Sequence, residues 1–139
     1  MDILAVKFNG ISADRTEKVR IEDVDVNISL DAFEPQKGAT AFVRFTYALT
    51  FRPDVGRLAL AGYVVVRDTQ KEMTRINGYW KKNNRLPDEL EKPLMNMISA
   101  SSTISSVFAG HIIDLMPPFM PPVVSRYRDK KKGKRRAKD

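Results

Sequence analysis

The chain of 139 residues has no cysteine. That excludes disulfides, a thiol nucleophile and a cysteine-ligated zinc site, and it fits a reducing compartment such as the cytoplasm. Histidine occurs once, as His111. A metal centre needs several ligands, and no nucleophile motif stands ready to partner a lone imidazole. Neither GxGxxG nor GxxxxGKS/T is present, so nothing marks the phosphate-cradling loop of a nucleotide-dependent enzyme. No stretch reaches the roughly 18 apolar residues of a membrane span. Asp2, with no basic cluster ahead of an apolar core, argues against a secretory leader in the first ten residues. Asp23 and Asp25 lie two apart on a strand pattern, which makes them a wet face rather than an acid/base or metal pair. These absences predict a cytoplasmic protein that is not an enzyme and has no cofactor, no metal, no small-molecule substrate and no membrane contact.

What the chain does have is charge, unevenly distributed. The net charge is +7. Residues 125–139 hold nine basic side chains (Arg126, Arg128, Lys130, Lys131, Lys132, Lys134, Arg135, Arg136 and Lys138) against Asp129 and Asp139, which accounts for the whole excess. The remaining 15 bases and 15 acids cancel over residues 1–124. The pattern predicts a neutral globular body, 1–124, with a basic C-terminal extension, 125–139.

Along the body, residues 3–8 alternate weakly, as a short strand that could pair at an edge, and residues 10–18 are polar, as a loop. Val24, Val26, Ile28 and Leu30 alternate with polar neighbours, which predicts a strand with one wet face. A turn over 34–38 leads to the clearest strand, Val43, Phe45, Tyr47, Leu49 and Phe51. Arg52-Pro-Asp-Val-Gly56 breaks it, and residues 58–66 form a further strand, completing an antiparallel meander. Met73, Ile76 and Trp80 recur at helical spacing in 69–82. A long helix opens at Pro87 and Asp88, with Pro93 in an early turn or kinking it. Its expected seam is Leu90, Leu94, Met97, Ser101, Ile104, Phe108, His111 and Leu115, at steps of four and three. Met116-Pro-Pro-Phe-Met-Pro-Pro122 ends that helix in an extended course. Strands followed by helices predict an α+β fold: a four-stranded antiparallel sheet, then a short and a long helix packed on one face, then a proline-rich segment and a basic tail.

Nine cations in 15 residues cannot be buried without partners, but on a polyanion they release condensed counterions. Arginines 126, 128, 135 and 136 can fork onto phosphates or stack on bases, and Tyr127, between two of them, can stack on an exposed base. The competing explanation is a solubilising tail or import signal. A second cluster, Tyr79, Trp80, Lys81, Lys82 and Arg85, interleaves aromatic and basic residues as a second candidate RNA contact; the simpler alternative packs Trp80 on the sheet and sets the lysines at a helix C-terminus. Met95, Met97, Met116, Phe119 and Met120 form a soft apolar set, read first as core and second as a groove for promiscuous partners.

The succession VKFNGIS, VDVNISLD, AFVRFTYALTF, LALAGYVVV, a helix, a proline-opened long helix and MPPFMPPVV resembles SecB-type export chaperones and their archaeal SecB-like relatives over residues 4–124. The resemblance implies a four-stranded antiparallel sheet backed by helices and a tendency to self-associate. It also implies an alternative function, binding of unfolded polypeptides in an apolar groove. SecB-type chaperones tend to be acidic and lack a basic arm, whereas the arm SRYRDKKKGKRRAKD is similar to the extensions of archaeal ribosomal proteins that run between rRNA helices. The expected function is therefore structural: a ribosome-associated rRNA-binding protein, leaning to the large subunit, held by its arm among rRNA and neighbouring ribosomal proteins.

Overall fold

The computed structural model describes residues 1–16 and 20–115 of the chain. Four strands come first, β1 (Asp2–Arg15), β2 (Asp23–Gln36), β3 (Thr40–Arg52) and β4 (Gly56–Arg67), followed by helices α1 (Gln70–Asn83) and α2 (Asp88–His111). The strands form one antiparallel sheet in the order β1-β4-β3-β2, so the β2-β3-β4 meander gains β1 at the β4 edge. The α+β class, the antiparallel four-stranded sheet and the two helices agree with the sequence reading. The proline-rich segment and the basic extension, within residues 116–139, lie outside the described residues.

Period-two alternation decides the faces. Val43, Phe45, Tyr47, Leu49 and Phe51 of β3 are at most 1% exposed, and Leu58, Leu60, Val64 and Val66 of β4 lie beside them on the same face. Met73, Ile76 and Trp80 from α1 and Leu94 and Ile98 from α2 complete a single core cluster with these side chains. Both helices therefore cover one face of the sheet. Each large side chain so buried contributes on the order of 1.5–3 kcal/mol, which outweighs the weak intrinsic preferences of the individual segments.

Two strands are longer than the sequence pattern implies. β1 continues through the stretch expected to be a loop and stays in register with β4 as far as Arg15 opposite Gly56. Register shifts between Ile3 and Ala5 and between Phe8 and Gly10 break its alternation. A strand with two such irregularities shows no clean period of two, although a long apolar neighbour still templates it. β2 runs through Glu34 and Pro35, which were expected in the turn. Pro35 is tolerated because β2 is an edge strand, and the chain reverses instead through Gly38 (φ 75°) and Ala39 (φ 55°).

Helix α1 starts where Thr69 caps it, its hydroxyl accepting from the Glu72 N–H at 3.2 Å. Helix α2 follows Pro87 at its N-cap and continues through Pro93. Its packing differs from the expected seam. The buried positions are Leu94, Ile98, Ser102, Ser106 and Gly110, a stripe at steps of four. Of the expected seam, Leu94 and Leu115 are buried, while Met97, Ile104 and Phe108 are 42%, 55% and 73% exposed and His111 is exposed. The physical reason is close approach. Helix α2 lies chiefly over β1 and β4, where a Cβ on Gly110 would stand 3.5 Å from Leu58 Cδ1, so the helix meets the sheet with its small side chains, along an i±4 ridge. The Tyr47 hydroxyl lies 3.4 Å from Thr103 Oγ1. At the C-terminus the Leu115 N–H donates to the Gly110 carbonyl at 2.8 Å around a left-handed Asp114 (φ 57°), a Schellman closure. A Cβ on Gly110 would meet the Leu115 carbonyl at 1.9 Å. No helix among the described residues is long and apolar enough to cross a membrane.

Candidate nucleic-acid interface

The ten arm residues expected to contact RNA, Arg126 to Lys138 with Tyr127 among them, lie outside the described residues. The body to which the arm attaches has much of its charge tied up in pairs. Arg44 Nε meets Glu34 Oε1 at 2.8 Å, Arg52 pairs with Asp25, and Arg75 pairs with Glu72 at 2.9 Å and Glu89 at 3.7 Å. The Arg44 guanidinium is held above its ordinary pKa first by the hydrogen bond to Glu34, and that of Arg75 by the hydrogen bond to Glu72. Asp23 and Asp25 take local roles, one accepting from the Val24 N–H at 2.8 Å and the other pairing with Arg52.

The second predicted cluster divides. Trp80 is only 9% exposed and packs against Phe33 with ring centroids 6.5 Å apart, so its indole belongs to the core and is not free to stack on a base. Arg85 turns to the start of α2, with Asp88 at 2.7 Å and Glu91 at 3.3 Å. Lys81 and Lys82 are exposed in the last turn of α1, where they complement the helix dipole, and Tyr79 is half-buried. The structure thus keeps three of the five side chains near the surface of α1 and diverts Trp80 and Arg85 to packing and ion pairs. Among the described residues no group of three or more His, Asp or Glu side chains could hold a metal ion.

Two surfaces escaped the sequence reading. The first follows from the displaced α2 seam. Phe8 and Ile11 of β1, Leu60 of β4, and Phe108 and Ile112 at the end of α2 line an open groove of about 880 Å³. Phe8 is 37% exposed and Ile11 61%, with Phe8 meeting Phe45 edge-on at 5.9 Å. Ile104, Phe108 and Ile112 add more than half of their surface each. A contiguous apolar surface of this kind marks an interaction site more often than an accident.

The second surface is the face of the sheet that carries no helix. Register places Lys7, Tyr63 and Arg44 in one row across β1, β4 and β3, and Val65 and Phe42 in the next. The Phe42 and Tyr63 rings lie 4.6 Å apart at 34°, and the Arg44 guanidinium carbon is 5.6 Å from the Tyr63 centroid. The alternation that put Val43 and Phe45 in the core also put Phe42 and Arg44 on this opposite face, which is the signal by which it could have been found. Comparison with protein-family models, with curated proteins and with solved structures finds no match to this chain.

Proposed function

We propose that the chain is a structural RNA-binding protein of the ribosome, its neutral body docked on a subunit surface and its basic extension laid along rRNA. The observation that carries this reading is the segregation of charge: +7 in residues 125–139 and zero over residues 1–124. Body cations such as Arg44, Arg52, Arg75 and Arg85 face carboxylates of the same chain, so the arm is the part with charge to spend on phosphates. Its recognition is of backbone charge and shape rather than base sequence. Nine cations on single- or double-stranded RNA predict a log–log salt slope steeper by up to about 6 to 8 than that of the body alone. Filter binding of rRNA fragments over a salt series, with the full chain and with a version ending at Val124, tests this. Equal slopes for the two would reject it. Placement on the large subunit, and contacts with neighbouring ribosomal proteins, are part of the same proposal.

A second reading has its own observation. The exposed groove at Phe8, Ile11, Phe108 and Ile112 suits an extended apolar peptide, as the resemblance to SecB-type chaperones implies. That reading predicts that the body alone suppresses aggregation of an unfolded client, and that Phe108→Ser weakens the effect. A body with no such activity would remove it.

A further inference from the structure

Resting on the RNA-binding reading, we propose that the helix-free face of the sheet is a second RNA site, on which an unpaired base stacks against the Phe42–Tyr63 pair while Lys7 meets an adjacent phosphate. The two rings stand on β3 and β4, the two central strands of the sheet, which is how four-stranded RNA-binding sheets present stacking aromatics. Both side chains are half-buried, and the core packing of α1 and α2 involves the opposite face. Arg44, anchored on Glu34 at 2.8 Å and set 5.6 Å from the Tyr63 centroid, holds that ring in place and adds a flat cation for stacking.

Charge on this face is graded. The carboxylates near β2 are engaged: Glu34 by Arg44, Asp25 by Arg52, Asp23 by the Val24 N–H at 2.8 Å, and Asp31 by the Ser29 and Thr46 hydroxyls at 2.9 and 2.7 Å. Toward β1 and β4 stand Lys7, Arg57 and Arg67, with Asp14 in register with Arg57 and Asp2 4.0 Å from Arg67. Between the aromatic pair and Arg57 the face is paved by Ala48, Ala59 and Ala61, which project little and let a sugar–phosphate chain lie close. A single strand finds aromatic surface for its bases and Lys7 for a phosphate.

The test uses the full chain and a short single-stranded oligoribonucleotide carrying 2-aminopurine, whose fluorescence is quenched when it stacks on an aromatic ring. The wild type is expected to quench it. The Phe42→Val/Tyr63→Val double variant is expected to lose the quench and to bind about tenfold more weakly, with an unchanged salt slope. Removing residues 125–139 should do the reverse, flattening the slope while the bound RNA stays quenched. A folded double variant with unaltered quench and affinity overturns the stacking site. An unchanged slope after truncation overturns the arm reading instead, so the two failures are separable. Should the double variant not fold, crosslinking of 4-thiouridine RNA to the wild type decides: adducts at Phe42 or Tyr63 support the site, and adducts confined to other segments reject it.

Discussion

Truncating Ile98 and Phe108 in turn tests which face of α2 holds the protein together. Ile98 is fully buried against the sheet, and Phe108, ten residues further on, is 73% exposed. Ile98→Ala removes three carbons from the core, about 2.4 kcal/mol at ~0.8 kcal/mol per methylene. The unfilled space raises the loss to about 3 kcal/mol. In a domain of this size that lowers the melting temperature by roughly 10 °C. Phe108→Ala removes surface that is mostly in water already, and its cost should stay within about 0.5 kcal/mol. Had the helix packed on the four-and-three seam, the order would reverse, with Phe108→Ala costing about 3–5 kcal/mol. Urea denaturation followed by circular dichroism measures both, and equal m-values for the two variants and the wild type make the midpoints comparable. A Phe108→Ala loss as large as that of Ile98→Ala would refute the packing described for α2.

Three further outcomes follow from the same structure. Ser102 Oγ is buried with no hydrogen-bond partner among the described residues, so Ser102→Ala should be neutral or stabilise by about 1 kcal/mol in the same denaturation assay. A Cβ on Gly62 would stand 2.1 Å from the Lys7 carbonyl and 3.1 Å from the Phe45 ring; Gly62→Ala should therefore cost about 2 kcal/mol or more by forcing β1 off β4, with faster amide exchange in β1 as the confirming signal. The Asp68 carboxyl is held below its ordinary pKa, chiefly by the Thr69 N–H and then by the ammonium of Met1. Its contribution to stability is thus present above the ordinary carboxylate range and lost as pH falls through the lowered value. NMR titration should place Asp68 below the free carboxylate, and Asp68→Asn should flatten that part of the acid-unfolding curve.

The meander was legible because β3 and β4 alternate without interruption and are buried on one face only. The helix starts were legible from Thr69 and from Pro87-Asp88, and the switch from period two to helical spacing after Asp68 marked the change of layer. β1 was legible only over residues 3–8, because irregular register at Leu4 and Asn9 shifts the phase of its side chains, and its pairing partner is a distant strand that local pattern cannot supply. The α2 face was misread for a different reason. Hydrophobicity points toward Met97, Ile104 and Phe108, but the close approach of α2 to β1 and β4 admits only a stripe that includes Ser102, Ser106 and Gly110. Steric fit between layers is a property of two elements at once and is not written in either. The same limit applied to Trp80, which a linear reading grouped with Lys81 and Lys82 although Phe33 claims it. The charge of the arm needed no fold to be seen, since it is a matter of composition alone.

In the function proposed here, residues 125–139 hold the protein on the ribosome. Sedimentation of a cell lysate on a density gradient, at low and at high salt, tests it with the full chain beside a version ending at Val124. The full chain is expected to travel with one ribosomal subunit at low salt and to be released at high salt, while the truncated chain stays at the top throughout. Both forms remaining at the top at low salt, or both travelling with the subunit alike, would contradict it.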